Sequence, residues 1–71
     1  MTAHANTRLA RLWRAHAEVE ATEATLSMAE SMVFAAQGDM RNFASSLASA
    51  TKALFWFTVY DLLAEKYEAR L

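Results

Sequence analysis

The sequence predicts an all-α protein, folded as an antiparallel two-helix hairpin. Three observations carry this expectation. The 71 residues contain no proline, and the single glycine, Gly38, stands near the middle of the chain. On either side of it runs a stretch of roughly thirty residues with no helix breaker. Within each stretch, large apolar residues recur at steps of three and four, the period of one helix face.

The first helix is expected over about 7–37, with Asn6 or Thr7 as its cap. Its apolar stripe reads Leu9, Leu12, His16, Val19, Thr22, Leu26, Ala29, Val33, Ala36. Gln37-Gly38-Asp39 then supplies the turn: Gly38 takes the left-handed conformation that closes a helix, and Asp39 caps the next one. The second helix is expected over about 40–70, on the stripe Met40, Phe43, Leu47, Ala50, Leu54, Phe57, Tyr60, Ala64, Tyr67, Leu71. Ser45, Ser46 and Ser49 form its polar back. Each arm is about 45 Å long at about 1.5 Å per residue, and residues 1–71 form one domain. A hairpin folded at Gly38 sets Leu9 level with Tyr67, His16 with Tyr60, Val19 with Phe57, Leu26 with Ala50 and Val33 with Phe43. The same register sets Arg8 level with Glu68 and Arg11 level with Glu65.

Composition narrows the function classes. Sixteen of the apolar residues are alanine, the formal net charge is −1 and cysteine is absent. Disulfide staples and cysteine zinc sites are excluded, and a near-neutral chain lacks the overall basic balance of a general nucleic-acid binder. A domain this small commonly needs a second subunit to complete its core. The stripes leave apolar residues to spare, since Trp13, Ala17, Ala21, Ala24, Met28, Met32 and Ala35 make another line on the first helix. The second helix carries Phe55, Val59 and Leu62 on one flank, and Trp56 and Leu63 on the other. Leu54-Phe55-Trp56-Phe57 is apolar all round, a pattern normally buried on every side. The expected solution is a homodimer forming a four-helix bundle. Its interface, or a partner's, would draw on Trp13, Met28, Met32, Phe34, Phe55, Trp56, Val59, Leu62 and Leu63. The apolar run from Ala53 to Tyr60 is too short to span a membrane, which takes about 20 residues.

Candidate chemistry is sparse. His16, Glu20 and Glu23 lie within about two helical turns and could share a metal, but the second helix supplies no matching Glu-x-x-His motif. The bland alternative is a solvated acidic face with His16 facing Tyr60 as a buried polar pair. Arg8, Arg11 and Arg14 surround Trp13, a possible basic patch for phosphate contact and stacking; Arg41 is a further candidate. The competing reading pairs these arginines with acids across the hairpin. The serines have no elbow, base or acid that would make a nucleophile, and no phosphate loop or dinucleotide fingerprint occurs. No cofactor is expected.

The Gln37-Gly38-Asp39 turn, the stretch Asn42–Thr51 without a charged residue and the surplus apolar flanks are similar in size and plan to the small dimeric helical-hairpin regulators of phages and plasmids. These include anti-activators that bind a host transcription factor. The resemblance implies sequestration of another protein without catalysis. The expectation is thus a cytoplasmic, non-enzymatic protein-binding regulator or inhibitor that modulates a partner, a transcription factor being one candidate. The alternative is a nucleic-acid-binding helical dimer using the N-terminal arginines; a small metal-dependent enzyme at His16, Glu20 and Glu23 ranks third.

Overall fold

Helix α1 (Ala3–Ala36) and helix α2 (Met40–Glu68) lie side by side and antiparallel in the computed structural model, which describes residues 3–71. The long, breaker-free arms therefore form as expected. Asn6 and Thr7 are inside α1 instead of capping it, and the Thr7 hydroxyl donates to the Ala3 carbonyl at 3.0 Å.

The turn follows from three residues. Gly38 sits at φ +73°, its N–H donates to the Ala35 carbonyl at 3.1 Å, and the Asp39 N–H donates to the Phe34 carbonyl at 2.9 Å. This pair of bonds is the Schellman arrangement, which satisfies carbonyls a helix end would otherwise leave unmet. Asp39 then caps α2: Oδ1 accepts from the Asn42 N–H at 3.2 Å and Oδ2 from the Asn42 side-chain amide at 2.8 Å. A Cβ on Gly38 would meet nothing within 4 Å, so only the backbone conformation resists substitution. Gly38→Ala should therefore destabilise the fold by about 1 kcal/mol, the left-handed penalty alone, as read by urea denaturation, and Gly38→Asn by less.

The seam between the helices differs from the expected one. On α1 the seam line runs through Asn6, Ala10, Trp13, Ala17, Glu20, Ala24, Ser27, Ser31 and Phe34, all buried or half-buried and in strict alternation of four and three, with Ala5, Thr7, Leu9, Arg14 and Ala21 half-buried beside it. The expected line Leu12, Val19, Leu26, Val33 lies on the far side, with Val19 59% and Leu26 54% exposed; Ala29 and Ala36 are exposed too. On α2 the seam keeps Phe43, Ala50, Phe57, Tyr60, Ala64 and Tyr67, but Ser46 and Ala53 take the places expected for Leu47 and Leu54. Ser46 is thus buried, and not part of a polar back. Both leucines are turned out by a shift of one residue, about 100° around the helix.

The physical reason is closeness of approach. Among the described residues the buried apolar side chains are all alanine: Ala10, Ala17, Ala24, Ala50, Ala53 and Ala64. Ala10, Ala17, Ala24 and Ser31 recur every seven residues, so a continuous strip of small side chains faces α2 and lets the two backbones come together. Toward the open end, aromatic groups join the alanines Ala10 and Ala64 at the seam. The Trp13 and Tyr60 rings stack with centroids 5.8 Å apart, and His16 lies 5.2 Å from Tyr60. The expected His16–Tyr60 level is therefore kept, although His16 is exposed, not buried. Lys66 and Arg70 lie over the Tyr67 ring at 5.8 and 5.3 Å in the last turns of the chain.

Candidate protein-binding surfaces

Alanine at the seam forces the bulky side chains outward, and the ion pair beside it separates two sides of the hairpin. Arg14 reaches Asp61 at 2.5 Å and Glu68 at 2.6 Å. Hydrogen bonding to Glu68, then to Asp61, raises the guanidinium pKa further above its usual value, so Arg14 stays charged throughout the range in which proteins fold. The expected pairs Arg8–Glu68 and Arg11–Glu65 are not formed. Arg14 takes that role because it sits beside the seam, whereas Arg8 and Arg11 point out from it and are exposed.

Seven-residue steps from Arg14 and Asp61 trace the rest of this side. On α1 they reach Ala21, Met28 and Ala35; on α2, going back toward the turn, they reach Leu54, Leu47 and Met40. Met28, Met40, Leu47 and Leu54 are all exposed, as is Met32 one row farther out. Helical geometry places Thr25 and Met32 of α1 and Ala44, Thr51 and Thr58 of α2 in that outer row. From Ala21 to Thr58, counted around the turn, neither row on this side carries a charge. The acids and bases of the same side, Arg11, Arg14, Glu18, Asp61, Glu65 and Glu68, are confined to the open end.

The other side is marked by His16, Trp56 and Tyr60. Trp56 stacks on Tyr60 at 5.8 Å and meets Phe55 edge-on at 5.3 Å, and Trp13 lies 5.8 Å from His16. Below this cluster an open groove of about 310 Å³ is lined by Glu20, Glu23, Ser27, Ser49, Lys52, Ala53, Trp56 and Tyr60. Seven-residue steps from His16 give Glu23 and Glu30, so this side is studded with carboxylates. Beyond them runs the exposed ridge Leu12, Val19, Leu26, Val33.

The residues expected at an interface are thus distributed over four places. Trp13 and Phe34 belong to the hairpin seam and are half-buried. Met28 and Met32 lie on the uncharged side. Trp56 and Leu63 lie on the groove side with Val59, while Phe55 and Leu62 point away from α1 and are exposed. The all-apolar turn Leu54-Phe55-Trp56-Phe57 is not enclosed: only Phe57 faces the seam, and Phe55 is 60% exposed. Sequence reasoning missed the outward lines Leu12/Val19/Leu26/Val33 and Met40/Leu47/Leu54 because it had assigned them to the seam.

The remaining candidates are accounted for by the same geometry. Among the described residues no three His, Asp or Glu side chains converge on a position fit for a metal ion; His16 packs against rings, while Glu20 and Glu23 face the groove. Two carboxylates pair with Arg14, while Arg8 and Arg11 of the basic cluster are exposed. Arg41 is exposed at the other end of the molecule. Among the described residues no helix is long and apolar enough to cross a membrane. Comparison with protein-family models, curated proteins and solved structures found no match for the chain.

Proposed function

We propose that this chain is a non-enzymatic, cytoplasmic protein-binding regulator. The hairpin works as a homodimer in a four-helix bundle and modulates or sequesters another protein. One observation carries the reading: large apolar side chains stand exposed on both sides of the hairpin and on its back. A two-fold contact covers one such side and leaves the other for a different partner. Leu12, Val19, Leu26 and Val33 repeat every seven residues, the spacing on which a partner helix packs. The small helical-hairpin regulators that the chain resembles in size and plan include anti-activators that bind a transcription factor, which makes that class of protein the first to test here.

The experiment is affinity capture from lysate of the cells that express the protein, with the wild type and a Val19→Glu/Leu26→Glu variant as parallel baits. Both positions face solvent in the hairpin, so the variant should keep its helicity. A protein retained by the wild type, lost with the variant and rebound when purified supports the reading. Identical retention by both baits, or none by either, contradicts it.

A further inference from the structure

We infer that the uncharged side centred on Met28 and Leu47 is the face on which a second copy of this chain docks. The inference rests on the dimer half of the proposed function and is independent of the partner half.

Surface area gives the first argument. A compact protein of 7.9 kDa exposes about 4,400 Å², whereas this hairpin exposes 5053 Å². The excess, roughly 650 Å² per chain, would make a two-fold contact of about 1,300 Å² in total, within the range of stable interfaces. The dimensions agree: the Cα radius of gyration is 16.0 Å, against about 11 Å for a compact chain of this length and about 14 Å for one of twice the length. One hairpin is too thin, and two laid side by side come much closer to a globular shape.

The chemistry of the face selects which side is covered. Between the charged open end and the turn, its polar side chains are Thr25, Thr51 and Thr58. Each hydroxyl donates to the carbonyl four residues earlier in its own helix, at 2.9, 3.0 and 2.9 Å. These groups can lose their water without leaving a donor unpaired, which is what makes burial of a polar group costly. Ala21, Ala35 and Ala44 leave hollows between Met28, Met40, Leu47 and Leu54, so two copies can interdigitate. A symmetric contact on the opposite side would instead desolvate Glu20, Glu23 and Glu30 of both copies against Lys52, the base that lines the same groove, so carboxylates outnumber bases and like charges repel.

Sedimentation equilibrium at tens of micromolar should give twice the chain mass. Met28→Glu and Leu47→Glu should each weaken self-association by about tenfold or more, since each buries a charge without a partner. Leu26→Glu, on the outer ridge of the opposite side, should change it less than about twofold. A readout without substitution guards against variants that fail to fold. Hydrogen peroxide should oxidise Met28 and Met40 several-fold more slowly at concentrations where the mass doubles than at dilutions where it does not. A fully helical monomer at every concentration overturns both the face assignment and the dimer. A dimer that survives both glutamates and leaves Met28 oxidation unchanged overturns the face assignment alone.

Discussion

Ala50→Leu should be among the most damaging single substitutions in this protein. Ala50 is 0% exposed and lies on the seam, where the helices approach across alanine and serine side chains. Three added carbons cannot be accommodated by rotamer change and must push the backbones apart, at about 1–3 kcal/mol. In a chain this small that is a large part of the total stability, so the thermal midpoint should fall by about 12–24 °C if the cost is near 3 kcal/mol. The informative control inverts the usual expectation about size. Leu62→Ala removes as much as the first change adds, yet Leu62 is exposed and points away from α1, so its midpoint should change by no more than the equivalent of about 0.5 kcal/mol. Thermal circular dichroism on both variants makes the comparison.

The second large effect belongs to Tyr60. Its ring meets Trp13, His16 and Trp56 at once, and it joins the helices where aromatic rings flank the alanine seam. Tyr60→Ala removes three ring contacts and opens a gap beside Trp13. Because the cluster is only partly buried, the loss should be about 2 kcal/mol, below the value for a fully enclosed aromatic. Tyr60→Phe keeps the stacking and should stay within about 0.5 kcal/mol of the wild type. Denaturant titration should also report the Ala variant through Trp fluorescence, since Trp13 and Trp56 both lose their neighbour.

These two predictions also show what could be read from the sequence and what could not. The hairpin, its turn and most of the α2 seam follow from short-range rules. Gly38 alone can take the left-handed turn without strain, Asp39 is a good cap, and Phe43, Phe57, Tyr60 and Tyr67 mark the inner face of α2. The α1 seam was hidden because bulk is a poor guide where the design is close approach. Leu12, Val19, Leu26 and Val33 outweigh Ala10, Ala17, Ala24 and Ser31 on any scale of hydrophobicity, and both lines repeat every seven residues. One signal distinguishes them. The leucine-valine stripe breaks the alternation of three and four at His16, Val19 and Thr22, whereas the small-residue stripe from Asn6 to Phe34 never does.

The candidate surfaces were legible to a similar degree. Met28 and Met32 are exposed, and Trp56, Leu63 and Phe55 lie outside the seam. Trp13 and Phe34 do not, because they occupy the larger positions between the alanines. The most extensive outward ridge was invisible for the same reason that the seam was misread: a line cannot be recognised as spare while it is assigned to the core. Arg14, and not Arg8 or Arg11, holds the cross-hairpin ion pair because it adjoins the seam residue Trp13, a placement that depends on the corrected register.

The central claim is that small residues face each other across the hairpin and the large ones face out. Two double variants test it in a chain with no cysteine of its own. Ala24 and Ala53 are both buried on the seam and within one residue of level when the His16–Tyr60 contact is extended toward the turn. Ala24→Cys/Ala53→Cys should close an intrachain disulfide under mild oxidation, because bridging needs Cα atoms within about 7 Å. Leu26→Cys/Ala50→Cys, which pairs the helices through the leucine stripe, should remain reduced within the chain. Mass spectrometry of the monomeric species reads both. Closure of the first pair alone is the predicted result, and closure of the second without the first would contradict it.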